Sequence, residues 1–267
     1  MTARRLDGLA WTDVAERAAA SVLVVPLGAT EQHGPHLPFT VDTEVAAELA
    51  RRLAEARPWV VLAPAVPYGS SGEHAAFPGT LSIGRAATEL LILELVRSAD
   101  AFAAVLLVSG HGGNAVPVGR AVATAGAEGR NVHVWAPTGP TDDSHAGRVE
   151  TSVMLALRPD AVRTDRATAG NTTPLPALLG TLRTHGVAKA SPTGVLGDPR
   201  SATVAEGHRI LAAWTTSLVH HADQLTEGAF QSGRPTEGAL QSINERAAAD
   251  DVGVVQPGRR AEHEHPQ

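Results

Sequence analysis

The chain has 267 residues, 43% of them hydrophobic and 19% charged, enough for one large domain with a sizeable core. Its 22 basic and 28 acidic residues leave a net charge of −6 and form no basic stripe, which argues against a nucleic-acid partner. Cysteine is absent, so disulfides and thiolate metal sites are excluded, and any metal must be held by histidine and carboxylate.

The opening segment MTARRLDGLAWTDVAERAAA lacks the apolar core of a signal peptide. No apolar run approaches the roughly 18 residues that span a bilayer. The expectation is a cytoplasmic protein with no membrane contact. Four short β-branched runs read as buried strands: Val22–Leu27 (VLVVPL), Val60–Ala63 (VVLA), Ala104–Val108 (AVLLV) and Val132–Trp135 (VHVW). Helical patterns lie between and after them. Thr43–Ala56 places Val45, Leu49 and Leu53 four residues apart. Ala86–Ser98 and Ala115–Ala127 are similar, the latter weakened by Pro117 and Gly119. Gly147–Leu157 stops before Pro159, and a last helix is expected from about Ala202 to His221. This alternation predicts an α/β fold with a mainly parallel sheet and helices on both faces. From Gly228 the composition turns to Gly, Pro, Gln and charge. A domain over 1–227 and a disordered tail over 228–267 are therefore expected, with the EHEH ending read as solvated tail rather than as a metal site.

In open parallel sheets, ligands bind just past the carboxyl ends of the strands. The first strand is followed by EQHGPHLP and then Asp42, which brings Glu31, His33 and His36. The second is followed by a loop with Glu73 and His74, and the third by SGHGGN with His111. The fourth is followed by Asp142, Asp143 and His145, then by a helix bearing Glu150. Histidines and carboxylates without cysteine suit Zn(II), Fe(II) or Mn(II), and an Asp that uses both oxygens can bridge two ions. Each residue has a plainer reading on its own. Asp42 before TEVAAELA fits an N-cap, Glu150 favours the helix dipole, and His145 fits an exposed turn. Their joint placement after successive strands favours a metal site. SGHGGN has neither GxxxxGK[ST] nor GxGxxG, so nucleotide binding is disfavoured.

LGATEQHGPHLPFTVDTE, VPYGSSGEHAAFPGTLSIG, SGHGGN, HAGRVETSVML and TGVLGDPRSATVAEG, in this order, together resemble the creatininase family of metal-dependent amidohydrolases. The resemblance implies a three-layer α/β/α fold and a cytoplasmic homo-oligomer, hexamer or octamer. It also implies amide hydrolysis at one or two divalent metals per subunit, Fe(II) or Zn(II), with Mn(II) also suitable. By that resemblance Glu31, Asp42 and His111 hold one metal, and His33 and Asp42 contact the second. His145 and Glu150 correspond to the His and Glu of the family's HxGxxET-type motif. His145 is the expected proton carrier, and Glu150 is either a ligand or the base. Creatininase itself carries a ligating Glu where this chain has Gly113, so that either Glu150 or a neighbouring group replaces it, or the second site is weak or absent. The ten-residue step from Trp135 to His145 also lacks creatininase's Trp-containing insertion. A more open pocket follows, which makes creatinine an unlikely substrate. Among the family's branches the chain is most similar to one that acts on a modified precursor peptide, and that resemblance implies cleavage near a C-terminal Val-Tyr. The alternatives are a small cyclic amide or formamide as substrate, and a non-catalytic metal-binding protein. Whether the TGVLGDP segment packs near the site or at an interface is open at the level of sequence.

Overall fold

The structure is a computed structural model that describes residues 4–229. Four strands form one parallel sheet: β1 (Val22–Leu27), β2 (Val60–Leu62), β3 (Ala104–Ser109) and β4 (Val132–Trp135), in the order β2-β1-β3-β4. Eight α-helices accompany them among the described residues: α1 (Trp11–Ala15), α2 (Val41–Ala56), α3 (Gly84–Arg97), α4 (Ala115–Ala127), α5 (Arg148–Leu157), α6 (Leu175–His185), α7 (Val187–Ala190) and α8 (Val204–Ala229).

Successive strand residues point to opposite faces. Val22, Val24, Leu106 and Val108 therefore join Leu49 and Leu53 of α2, Met154 of α5 and Leu211 and Leu218 of α8 in one core. Leu23, Val25, Val105 and Leu107 join Ile92 and Val96 of α3 and Val118 and Val122 of α4 in the other. Burial on both faces explains why the strands read as unbroken apolar runs. The result is the expected three-layer α/β/α arrangement, with all four strands parallel.

The strand order reverses direction at β1. From β1 the chain crosses to β2 on one side, whereas β3 and β4 lie on the other. The loops leaving β1 and β3 therefore part and open a crevice at the carboxyl edge of the sheet. Gly110 lies where that crevice begins, its α-carbon against the backbone carbonyl of Asp42.

Boundaries differ from the sequence expectation in instructive ways. Helix α2 begins at Val41, with Thr40 as the N-cap, so Asp42 is the second helical residue and not the cap. Its carboxylate is thereby free for other work. Pro117 does not weaken α4, because it sits in the first turn, where the missing N–H would have had no partner. Helix α8 starts at Val204 and continues through Ala229, past the expected end. The expected disordered tail otherwise falls outside the described residues. Helices α6 and α7 had no counterpart in the sequence reading.

Helices α5 and α8 meet closely at Gly207. A Cβ there would overlap the Ser152 carbonyl oxygen and lie 2.9 Å from Ala156 Cβ. Gly207→Ala must push the two helices apart, at a cost of about 1–3 kcal/mol. Chemical denaturation should show that loss as a lower midpoint at unchanged slope.

Candidate metal centre

Glu31 and His33 leave β1 on a short, buried loop and meet Asp42 from the first turn of α2. The His33 Nδ1–H donates to the Glu31 backbone carbonyl at 3.1 Å, which turns Nε2 inward, 3.2 Å from Asp42 Oδ1. His111, just past β3, presents Nδ1 at 3.2 Å from Asp42 Oδ2. Its Nε2 lies 2.9 Å from the Ser70 carbonyl oxygen and 3.2 Å from Glu31 Oε2. Asp42 thus has one imidazole on each oxygen. Glu150 closes the second side, with Oε2 3.8 Å from His33 Nε2.

Two groups of donor atoms, each within 4.8 Å, result: Glu31, Asp42 and His111, and His33, Asp42 and Glu150. They share Asp42. Glu31, His33 and His145 form a further group, as do Glu31, Glu73 and His74. The six residues that the resemblance assigns to the site come together, whereas His36 lies outside these groups, its Nε2 2.8 Å from Thr151 Oγ1.

The electrostatics fit divalent cations. Both carboxylate oxygens of Glu31 and Oδ2 of Asp42 are buried without a hydrogen-bond partner. Such groups are costly unless a cation or donor meets them. Burial pushes the Glu31 carboxyl up to about 8, with His111 opposing and Asp42 adding to the rise. Burial also works against charge on His33, but Asp42, Glu150 and Glu31 overcome it and lift the ring to about 10. His111 is raised well above its ordinary value in the same way, mainly by Glu31 and Asp42 against burial. For Asp42, burial is outweighed by His33 and His111, and its pKa falls below the carboxylate range. The imidazolium charges counter the carboxylates here; a divalent ion at each group would supply that positive charge instead, with the imidazoles giving up their protons and ligating as neutral rings.

His145 differs. Burial, with His33 and His74 nearby, holds it well below its ordinary value, so it is neutral. Its ring centroid is 4.3 Å from that of His33 and 4.5 Å from that of His74. It precedes Ala146, which has φ 51°, a strained conformation for a residue with a side chain. Two contacts hold that turn. Glu150 Oε2 accepts the Ala146 N–H at 2.5 Å, and the His145 backbone bridges to Leu196. Asp143 caps α5, accepting from Arg148 N at 2.7 Å and Val149 N at 2.8 Å.

The sequence reading noted Glu73 and His74 without giving them a role, and passed over Gln32. His74 is buried, with its Nε2 3.4 Å from Glu31 Oε1. Glu73 is 30% exposed at the edge of the site, 4.0 Å from His111. Gly113 admits it, since a Cβ at that position would lie 2.5 Å from Glu73 Oε1. The TGVLGDP segment packs at the site, where Gly194 receives a hydrogen bond from Gln32. The EH pair after β2 was the signal available for His74. Gln32 carries no ligand chemistry and gave none.

The family model described as creatinine amidohydrolase matches residues 7–222. The chain belongs to the creatininase family. A mycofactocin precursor peptide peptidase of Mycobacterium tuberculosis (strain CDC 1551 / Oshkosh) is 51% identical over 209 residues, 74% of this chain and 82% of its own. The creatinine amidohydrolase of Pseudomonas putida is 31% identical over 191 residues, 59% of this chain and 73% of its own. Among solved structures, a manganese creatininase superposes with a TM-score of 0.72 at 25% identity, covering 84% of this chain and 98% of that one. A mutant creatininase of "Zn-Zn type" gives the same figures.

Zinc at about a hundredfold excess over its Kd should stabilise the protein by about 2.7 kcal/mol. Thermal melts with and without zinc measure this. Glu31→Ala and His111→Ala should each remove most of the shift.

Proposed function

We propose that this creatininase-family chain is a metal-dependent peptidase that cleaves a modified precursor peptide; the M. tuberculosis relative is named as a precursor peptide peptidase. The observation that carries the reading is the pair of donor groups joined at Asp42, with the His145 imidazole beside them, its Nε2 2.8 Å from the Gln32 carbonyl and its Nδ1 toward the site. A binding protein would need the first but has no use for the second. Fe(II) or Zn(II) is the proposed ion, with Mn(II) as a further fit to the same His and carboxylate donors.

Divalent ions bound at these groups would polarise an amide carbonyl and make water nucleophilic at neutral pH. The chain's own residues do the rest. Glu31, His33, Asp42, His111 and Glu150 would hold the ions. His145 donates Nε2–H to the Gln32 backbone carbonyl at 2.8 Å, which leaves Nδ1 bare, 3.7 Å from Glu31 Oε1. That nitrogen takes up a proton and returns it to the leaving amine. Burial lifts the Glu150 carboxyl to about 6, with His33 opposing and Asp42 adding. Glu150 therefore offers a second proton acceptor near neutrality.

Exposed apolar side chains support a peptide over a compact cyclic amide. Phe39, Tyr68 and Leu81, on the segments around the Glu31 loop, are 38%, 45% and 54% exposed. Leu81 N donates to the Thr30 carbonyl and Gln32 N to the Thr80 hydroxyl, which ties that rim to the site. The proposal includes cleavage near a C-terminal Val-Tyr and a homo-oligomer, hexamer or octamer, from the family resemblance, together with a domain over 1–227 and a cytoplasmic location, from the composition of the chain. Among the described residues no helix is long and apolar enough to cross a membrane.

Mass spectrometry of the metal-loaded protein with the modified precursor peptide, and separately with creatinine, tests the reading. The expected result is a chelator-sensitive C-terminal fragment and intact creatinine. Hydrolysed creatinine with intact peptide would transfer the protein to the small-amide activity. His145→Ala should keep its metal and lose about 10²–10⁴ in turnover. Full activity in that variant would remove His145 from the mechanism.

A further inference from the structure

Gln32 lies between the two metal-facing residues of its loop, yet its side chain points to neither donor group. It is buried, and each of its polar atoms is engaged. Oε1 accepts the Gly34 N–H at 2.8 Å, which fixes the amide's orientation. The Nε2 group then faces three atoms: His74 Nδ1 at 2.9 Å, the Gly194 carbonyl at 3.1 Å and His145 Nε2 at 3.1 Å.

One arrangement of protons satisfies all of them. The 2.8 Å contact of His145 Nε2 with the Gln32 backbone oxygen requires an N–H on that nitrogen, since two lone pairs would otherwise meet. His145 Nε2 is then a donor and takes nothing from the Gln32 amide. The two amide hydrogens go to His74 Nδ1 and Gly194. His74 accepts at Nδ1, so its own proton sits on Nε2, the atom 3.4 Å from Glu31 Oε1. The ring therefore carries an N–H on the side of a buried carboxylate oxygen that has no hydrogen-bond partner.

We propose that Gln32 is the positioning residue of the centre: its side chain sets the His74 tautomer so that an Nε2–H lies on the side of Glu31, 3.4 Å from Oε1, and its backbone carbonyl leaves His145 a bare Nδ1 facing the site. The inference rests on the metal-centre reading and deepens it. His74 then orients a ligand and is not one itself, although its position beside Glu31 and Glu73 resembles a ligand's. Partners of this kind typically contribute 10–100-fold in metal affinity or activity. The fit is tight, because a Cβ on Gly194, whose φ is +80°, would run into the Gln32 amide.

The test is histidine ring 15N–1H correlation spectroscopy on the zinc-loaded and metal-free protein, with His74 assigned by difference against His74→Gln. The expected wild-type spectrum shows His74 protonated at Nε2 and bare at Nδ1. Gln32→Glu places an acceptor opposite Nδ1 and should move the His74 proton there, while His145 keeps its own on Nε2. Gln32→Met should weaken zinc binding at least tenfold by titration calorimetry. His74→Gln, which keeps an N–H donor, should stay closer to wild type than His74→Phe. An Nδ1–H on His74 in the wild-type protein overturns the proposal, and that measurement needs no variant to fold. So does zinc affinity within twofold of wild type in a folded Gln32→Met. Failure of the wild-type protein to bind zinc would instead overturn the metal-centre reading.

Discussion

Asp42 is the constraint around which the site is built. Its carboxylate is buried, with His33 on one oxygen and His111 on the other, each at 3.2 Å. Those imidazoles come from loops that follow β1 and β3, adjacent strands whose connections diverge. A single side chain in the first turn of α2 therefore bridges the crevice that the strand order creates. A buried carboxylate between two such partners cannot lose one cheaply, because an unpaired buried charge costs about 3–5 kcal/mol.

The fold supplies the rigidity this arrangement requires. Both faces of the sheet are covered, and Leu49 and Leu53 anchor α2 to one core while its first turn carries Asp42. The strain at Ala146 and the partnerless oxygens of Glu31 are the opposing costs. Local rules broken at one place, within a scaffold that obeys them elsewhere, are what a site looks like in physical terms. The short link between Trp135 and His145 lets the α5 motif approach without an intervening insertion. Leu196 and Gly194, from far along the chain, pack against His145 and Gln32 from behind.

Much of this was legible in the sequence. Four β-branched runs marked the four strands, and the ligand types after each strand marked the rim where they converge. The plainer reading of Asp42 as a cap fails because α2 starts two residues earlier than TEVAAELA suggests, Thr40-Val41 being a weak helix start and TEVAAELA a strong helical pattern. Helices α6 and α7 were missed, since Leu175–Ala190 buries only Leu178 and Val187 and so has little apolar periodicity to read. Gln32 was invisible for a different reason. Its role depends on a glycine backbone at 194 and a histidine at 74, neither of which a local pattern connects to it.

The central claim is that one carboxylate joins two cation positions. Metal content per chain, measured by mass spectrometry after loading and desalting, tests it in the wild-type protein and in Asp42→Asn. The account predicts two ions per wild-type chain and loss from both positions in Asp42→Asn, with the fold intact by circular dichroism. Full metal content in a folded Asp42→Asn, or loss from one position alone, would contradict it.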